Sequence, residues 1–391
     1  VNSMEDELSA AARGRLLSEL LLRCTEQVDA ELRALLNLAF FQRNQYFDNV
    51  RLALQLNMSE RTFYRMRLRA IKHVAHHLNQ AVLPPLRPES PVNRVMFGRF
   101  DTVTAVSALL NANRSVYLAG PSGIGKSTLG GALARQWAAI PGNIVFWYTL
   151  RRQMNDTVAS LAFALCHQLH SHGRSAAWRQ LVADRGVLDS ERILSLLRFD
   201  LESLAPAALL LCIDDVDVLQ DDSSAHAQIA HFIEALRPHA AILLLGQRIL
   251  IDTDNHMLLD ALPSSAAREL LGYLGLDAMP EQTRMDLLKQ ARGIPALLVL
   301  TAALVRLGED PADTASLIGH TPSLEGIFHR IWRRLDKDER DVLMQLAVYR
   351  TPAPQDEWRD AHATLRRLHA RQLVDIAADG TVQILPHLHQ H

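Results

Sequence analysis

Residues 119–128 read Ala119-Gly120-Pro121-Ser122-Gly123-Ile124-Gly125-Lys126-Ser127-Thr128. A glycine, four residues and then Gly-Lys-Ser is the spacing of a P-loop, whose backbone N–H groups converge on phosphate oxygens. The three glycines leave room for that approach and give access to positive φ. Lys126 would place its charge on the β- and γ-phosphates, and Ser127 would ligate Mg²⁺. We therefore predict that every residue from Gly120 to Thr128 takes part in nucleotide binding.

The residues on either side of this loop agree with that prediction. Ser115–Ala119 is a short apolar run that predicts a buried strand, and residues 129–137 predict a helix. A helix that begins at the loop turns its N-terminus toward the phosphates. A glycine-rich turn with an incidental lysine would not come with both elements. The sequence therefore predicts an α/β domain with a parallel sheet.

A second candidate element is an apolar run, residues 207–213, that is followed directly by Asp214 and Asp215. Such a run predicts a buried parallel strand that brings carboxylates to the carboxyl edge of the sheet. Asp214 would hold Mg²⁺ through water, and Asp215 would position or activate the attacking water. The next apolar run, residues 240–245, leads into Arg248, which could reach a γ-phosphate. The predicted catalytic residues are Lys126, Asp214, Asp215 and Arg248, and the predicted metal ligands are Ser127 and Asp214.

The composition excludes several classes of protein. A chain of 391 residues is too long for one core, and its formal net charge of −2 means that nucleic-acid contact would need a local basic patch. The three cysteines lie far apart and form no disulfide framework or zinc motif, which favours a reducing, cytoplasmic compartment. No apolar run approaches the ~20 residues of a membrane span. The acidic N-terminus does not resemble a signal peptide, so we expect no membrane partner.

Helical periodicity begins in residues 8–47, and residues 48–71 then combine a short helix, a turn at residues 56–58 and a longer helix that Ser59 would cap. Asn57 tolerates the left-handed conformation that such a turn needs. The segment resembles the helix-turn-helix of sigma-factor region four and related bacterial regulators. Phe63, Met66 and Ile71 are predicted to face the core of this domain.

The same segment is locally basic, because Glu60 is the only acidic residue between Arg51 and Lys72. A basic face on a helix-turn-helix predicts DNA binding. The residues predicted to contact DNA are Arg61, Thr62, Arg65, Arg67, Arg69 and Lys72. The alternative is a helical hairpin with a solvated basic face that packs or binds a protein partner.

The order of the motifs along residues 93–391 resembles that of STAND-class NTPases with an NB-ARC-type nucleotide-binding module. Besides the P-loop and the paired acids, the chain has the family's upstream Gly-Arg element as Gly98-Arg99 and its Gly-Leu-Pro motif as Gly293-Ile294-Pro295. The resemblance implies that Gly98, Arg99, Pro295 and His387 also bind the nucleotide. The Met and Asp that flank the family's histidine are absent around His387, so a terminal histidine cluster without a ligand is the alternative.

With this resemblance, we predict a multidomain α/β protein. A helical N-terminal domain (1–83) and a proline-rich linker (84–92) precede the P-loop domain with its parallel sheet (93–255). A small helical domain (256–322) and a C-terminal winged helix (323–391) follow.

The resemblance implies an ATP/ADP-dependent signalling switch with slow hydrolysis. ADP would hold a closed monomer, and Mg²⁺-ATP would favour a homo-oligomer whose N-terminal domain acts in transcription control or defence signalling. The family usually continues into a repeat-built sensor, so the sensor is expected either in a separate protein or in a longer form of this chain. One alternative is a non-hydrolysing nucleotide-bound adaptor whose N-terminal helices bind a protein. Another is a DNA-remodelling AAA ATPase.

Overall fold

The computed structural model describes residues 10–41, 49–82, 89–91, 93–112, 114–184, 186, 189–204, 208–320, 323–349, 352–354, 358, 360–377 and 380–384. Their contacts divide the chain into two compact units, residues 1–87 and 88–391. Among the residues covered by these ranges, no helix is both long enough and apolar enough to cross a membrane.

The first unit is helical. Its helices are α1 (Ala10–Glu26), α2 (Ala30–Leu36), which continues into a π-helical turn (Asn37–Phe41), α3 (Asn49–Gln55) and α4 (Glu60–Val82). The core forms where α2 packs on α4 through Leu32, Leu36 and Ala70, and where α2 and α3 meet Phe63. Burial of these side chains is what orders helices that are too short to be stable alone.

The helix, turn and helix predicted for residues 48–71 are present as α3, a turn and α4. Asn57 has φ 52°, in the left-handed region. The Ser59 hydroxyl accepts a hydrogen bond from the backbone N–H of Thr62 at 3.1 Å, as an N-cap does.

One core prediction in this segment is wrong. Phe63 is fully buried and Met66 partly so, but Ile71 is 42% exposed, and Ala70 occupies the buried position. The reason is helical phase, because the face that starts at Phe63 continues three, seven and eleven residues later, which passes through Ala70 and not through Ile71.

The second unit is built on a parallel sheet of five strands in the order β2-β3-β4-β1-β5. The strands are β1 (Ser115–Ala119), β2 (Ile144–Thr149), β3 (Leu209–Asp214), β4 (Ala241–Gly246) and β5 (Asn255–Leu258). The strands that the sequence predicts from apolar runs at residues 115–119, 142–149, 207–213 and 240–245 are therefore confirmed. The fifth, β5, was not predicted, and it carries the sheet past the domain boundary predicted at residue 255. It is a short edge strand whose side chains alternate in exposure, so it leaves no apolar run in the sequence.

Helices cover both faces of this sheet, which explains the continuous apolar sequence of its central strands. On one face lie α5 (Phe100–Asn111) and α6 (Lys126–Ala138). On the other face lie α7 (Val158–Ser171), α8 (Ala176–Ala183), α9 (Ser190–Glu202) and α10 (Ser223–Leu236). The sequence predicts a helix over residues 154–170, but α7 begins only at Val158, because Thr157 caps it and residues 151–156 form a turn held by Asn155.

The remainder of the unit is mostly helical. Its elements are α11 (Ser264–Tyr273), α12 (Glu281–Ala291), α13 (Pro295–Arg306), α14 (Pro311–His320), α15 (Leu324–Arg334), α16 (Lys337–Val348), α17 (His362–Ala370) and the antiparallel hairpin of β6 (Val374–Ile376) and β7 (Val382–Ile384). One hydrophobic cluster runs from Leu262 to Ile384. The buried Glu309 carboxylate adds ion pairs of 2.6 Å to Arg330 and 2.7 Å to Arg334, which fasten α15 to the turn before α14.

The end of the predicted linker is attached to the sheet. Glu89 forms an antiparallel bridge with Trp147 on the edge strand β2, and its carboxylate accepts a hydrogen bond from the Thr149 N–H at 2.7 Å. The same carboxylate lies 3.1 Å from the Arg151 guanidinium. Most of the linker, residues 84–88 and 92, and the predicted site residue His387 lie outside the described residues.

The tight contact between α6 and the sheet depends on Gly130. A Cβ at this position would lie 2.8 Å from Leu245 Cδ1 and 3.2 Å from the Trp147 ring. We predict that Gly130→Val lowers the free energy of unfolding by about 1–3 kcal/mol through overpacking. Urea denaturation followed by tryptophan fluorescence would measure it.

The matched control for this variant is Gly272→Val. Gly272 also lies within a helix, but, apart from its chain neighbours and the backbone of its own helix, none of the described residues has an atom within 4 Å of the Cβ that valine would add. We expect this control to be neutral, since valine is no worse a helix former than glycine. Equal destabilisation of the two variants would contradict the packing explanation.

Candidate nucleotide-binding site

The sheet order brings three strand ends together. The loop after β1 carries the P-loop sequence, β4 lies directly beside β1, and β3 lies beside β4. All three strands run parallel, so the P-loop, the Gly246 end of β4 and Asp214 share one edge. The Gly120 N–H donates to the Gly246 carbonyl at 3.2 Å, which fixes the loop to its neighbour.

The P-loop has the conformation that its glycines allow. Gly123 has φ 76° and Gly125 has φ 101°, both in the left-handed region. Lys126 begins α6, and its buried ammonium donates to the carbonyls of Gly120 at 2.8 Å and Pro121 at 3.2 Å. The lysine charge is therefore held inside the loop.

The charge on Lys126 is balanced by the acids at the end of β3. Burial lowers the pKa of the Lys126 ammonium, whereas the carboxylates of Asp214, Asp215 and Asp217 act in the opposite direction. A buried cation needs such partners, because desolvation alone would favour its neutral form. The loop and the acidic strand end thus form one electrostatic unit.

Asp214 is the buried member of the acidic group. Its burial and the neighbouring Asp215 raise the pKa of Asp214 to about 7, while a hydrogen bond from the Ser127 hydroxyl acts in the opposite direction. Asp215 has φ 55°, and its N–H donates to Asp214 Oδ1 at 2.9 Å. A hydroxyl and a carboxylate in contact, beside a loop shaped for phosphate, are the hard oxygen ligands that Mg²⁺ prefers. Ser127 and Asp214 therefore fit a magnesium site.

Arg248 lies at the same edge, just beyond the end of β4, with an exposed side chain. Its backbone is held by an acid that the sequence analysis did not select. The carboxylate of Asp217 accepts hydrogen bonds from the N–H of Gln247 at 2.5 Å and from that of Arg248 at 3.1 Å. The available signal was the third acid in Asp214-Asp215-Val216-Asp217.

The P-loop is also in contact with the helical part of the unit. Pro295 is the first residue of α13, and the Ala296 N–H donates to the Gly123 carbonyl at 3.2 Å. A Cβ on Gly123 would lie 2.7 Å from Ala296 Cβ and 2.9 Å from Leu324 Cδ1. The start of α13, with Pro295, and the start of α15 therefore lie directly on the phosphate-binding loop.

Gly98 and Arg99 connect the sheet to the segment before α11. The Arg99 guanidinium is buried, donates to the Asp260 carbonyl, and has a pKa lowered by that burial. Gly98 has φ 59°, and a Cβ there would collide with Ala266 on α11. In the structure these two residues hold the neighbouring helical segment in place, at the entrance of α5.

The residues predicted to contact DNA are all on α4 but differ in their surroundings. Four of them are exposed at helical spacings of four, four and three residues and form a single stripe, which we call the basic stripe: Arg61, Arg65, Arg69 and Lys72. The Thr62 hydroxyl instead bonds the Ser59 hydroxyl. Arg67 donates to Asn49 on α3 at 2.9 Å and lies 4.9 Å from the centre of the Tyr64 ring. Both residues therefore take part in contacts within the unit.

Comparisons with known proteins agree with the fold. Residues 95–245 match a family model described as the AAA ATPase domain. The chain is similar in structure to a Signal Transduction ATPase with Numerous Domains (STAND) protein with a tetratricopeptide repeat sensor from Pyrococcus horikoshii. The identity is 19% and the TM-score 0.52, over 78% of this chain and 44% of that one, so this chain spans less than half of that protein.

Two further solved structures are similar at lower scores. The Orc1 protein of Aeropyrum pernix, in complex with DNA, has 13% identity and a TM-score of 0.41, over 77% of this chain and 91% of that one. Domain III of the replication initiation protein DnaA from Thermotoga maritima has 16% identity and a TM-score of 0.35, over 57% of this chain and 92% of that one. No curated protein matches the sequence. The family match and the geometry above support a P-loop domain of the AAA ATPase type, with a fold similar to that of the STAND protein.

We predict that Lys126→Ala abolishes measurable binding of both ATP and ADP. Loss of the charge held inside the loop removes charge-assisted bonds to phosphate and should weaken affinity at least ~100-fold. Isothermal titration calorimetry measures this, with circular dichroism as the check on folding. The control is Lys289→Ala, which removes an exposed lysine from α12. Wild-type affinity in the Lys126 variant would contradict the P-loop assignment.

Proposed function

We propose that the chain is an ATP/ADP-dependent signalling switch. One observation carries the proposal: the phosphate-binding loop is packed against α13 and α15 through Gly123, at a distance where even a methyl group would not fit. A nucleotide in this loop therefore lies beside three separate parts of the unit. A change at its terminal phosphate would alter the packing of those parts on one another.

A closed arrangement would have a second contact far from the loop. Arg94, just before α5, donates through Nη2 and Nε to Asp375 Oδ2 on β6, at 2.8 and 3.0 Å. This ion pair holds the C-terminal hairpin against the start of the sheet domain. Glu309, with Arg330 and Arg334, keeps α15 joined to the helices before it. In the proposed switch, α11 to α14 form the small helical domain and residues 323–391 a winged helix that moves as one body.

The energy needed for such a switch is within reach of one phosphate group. Changing the ratio of two conformations from 1:99 to 99:1 takes a ligand that binds one of them more tightly than the other by about 5.5 kcal/mol. Lys126 and Arg248 would bind the terminal phosphates by charge-assisted bonds, and Mg²⁺ held by Ser127 and Asp214 would neutralise part of their charge. Asp215 would position the attacking water, and slow hydrolysis would limit the lifetime of the ATP form. Pro295, Gly98 and Arg99 would act as supports around the nucleotide.

The first unit would carry the output. Its basic stripe fits a nucleic-acid backbone. The output would then be DNA binding by a homo-oligomer that forms with ATP, in transcription control or defence signalling. A specific observation favours a second candidate, an adaptor that binds a protein. Beside the basic stripe, α4 also exposes Tyr64 by 44%, Leu68 by 56% and Ile71 by 42%. Exposed apolar side chains at helical spacing are typical of protein interfaces.

The switch is tested by reversing the charges of the Arg94–Asp375 pair. We expect the wild-type chain to be monomeric with ADP and larger with a non-hydrolysable ATP analogue, as measured by light scattering after size-exclusion chromatography. Asp375→Arg should self-associate at a three- to tenfold lower concentration of the analogue, because it replaces attraction with repulsion. The double variant Arg94→Asp/Asp375→Arg should return to wild-type behaviour.

The control for this experiment is Asp221→Arg, which reverses an exposed ion pair with Arg152 inside the sheet domain. It should leave the oligomeric state unchanged. A wild-type chain with the same mass in both nucleotide states would refute the switch. A double variant that stays as aggregated as Asp375→Arg would refute the role of the ion pair.

The output is tested by electrophoretic mobility shift with duplex DNA in both nucleotide states. DNA binding should be stronger with the ATP analogue through effective concentration, and each phosphate contact should contribute a slope of about −0.9 in log K against log salt. Arg61→Glu/Arg65→Glu should abolish the shift, whereas Arg23→Glu, an exposed charge on α1, should not. Absence of a shift at low salt would favour the adaptor.

A further inference from the structure

We infer that Asp217 is a positioning residue that sets the direction of Arg248 at the nucleotide. The inference rests on the proposed role of Arg248 as the contact to the γ-phosphate. Its starting point is the pair of hydrogen bonds by which the Asp217 carboxylate takes the N–H groups of Gln247 and Arg248, one on each oxygen. Bonds from backbone N–H groups to a carboxylate are charge-assisted and roughly twice as strong as neutral ones.

The turn after β4 has few other supports. Gln247, Arg248 and Ile249 are all exposed, so packing of their side chains does not determine the path of the main chain. On the inner side, the fully buried ring of Tyr117 presses against Gly246, where a Cβ would collide with the Tyr117 hydroxyl. Tyr117 thus packs against the end of β4, and Asp217 holds the two residues that follow it.

Asp217 also belongs to the acidic end of β3. It lies in the 3₁₀ turn Val216–Asp221 that follows Asp215 directly, and the Val218 N–H bonds the Asp215 carbonyl at 3.1 Å. Its charge is close enough to Lys126 to raise the pKa of that ammonium against the effect of burial. One side chain therefore joins the strand end that holds the metal site to the turn that carries the arginine. A shift of the acidic strand end would be transmitted to Arg248.

This arrangement makes a sharp prediction for a double-mutant cycle. Arg248→Ala should reduce the preference for a non-hydrolysable ATP analogue over ADP by about tenfold. Asp217→Ala should reduce the same preference by a comparable factor, since it misplaces Arg248, whereas the loss of its charge near Lys126 affects ATP and ADP alike. The double variant should be no worse than Arg248→Ala alone, because residues that act through one another are not additive.

Isothermal titration calorimetry with the ATP analogue and with ADP, both in the presence of Mg²⁺, measures this preference. The four proteins compared are the wild-type chain, the two single variants and the double variant. Asp221→Ala is the matched control, since it removes an exposed acid from the same turn, and it should keep the wild-type preference. Asp217→Asn retains one acceptor oxygen and should fall between wild type and Asp217→Ala. It also provides the test if the alanine variant does not fold.

The outcomes separate the two proposals. An unchanged preference in Arg248→Ala would refute the sensor role in the proposed function, and the inference with it. A lowered preference in Arg248→Ala with wild-type behaviour in both Asp217 variants would refute only the inference. Effects that multiply in the double variant would also refute it. So would an Asp217→Ala protein that loses ADP and ATP affinity equally, because the carboxylate would then act through the charge balance at Lys126 and not through Arg248.

Discussion

A buried ammonium, that of Lys126, is the group on which the second unit depends. A cation removed from water is stable only if oxygen atoms around it replace its hydration. Here two carbonyls of its own loop accept its hydrogen bonds, and the acids at the end of β3 supply the opposite charge. That requirement brings the end of β3 within reach of the loop after β1, which the sheet satisfies by placing only β4 between them. The strand order and the charge balance are thus two aspects of one constraint.

The parts of the fold that the sequence predicted share a physical cause. The three central strands, β1, β3 and β4, are covered by helices on both faces, so nearly every residue in them is apolar and the pattern is unmistakable. The P-loop is equally visible, because its backbone conformation tolerates little besides glycine at positions such as Gly123 and Gly125. Signals of this kind arise from a residue and its immediate neighbours, which the sequence displays directly.

The parts that were missed depend on contacts between distant residues. The role of Asp217 requires the turn 30 positions later, and the buried Arg99 has its partner, Asp260, on a segment 161 positions away. Ile71 was misplaced because the helical face was assigned one residue out of phase, and only the packing of Ala70 against α2 shows the correct phase. The edge strand β5 has neither a continuous apolar run nor a turn motif to mark it. In each case tertiary structure determines what local composition leaves undetermined.

The attachment of Glu89 to the sheet has a further consequence for association between copies of the chain. An edge strand such as β2 presents unpaired N–H and C=O groups, on which the strand of another molecule can add. The bridge to Trp147 and the carboxylate on the Thr149 N–H occupy that edge near the nucleotide site, and the ion pair to Arg151 places charge beside it. The segment around Glu89 thereby hinders the addition of a strand from another molecule to this edge of the sheet. At this edge, self-association through side-chain surfaces, where specificity can be set residue by residue, is therefore favoured over strand addition.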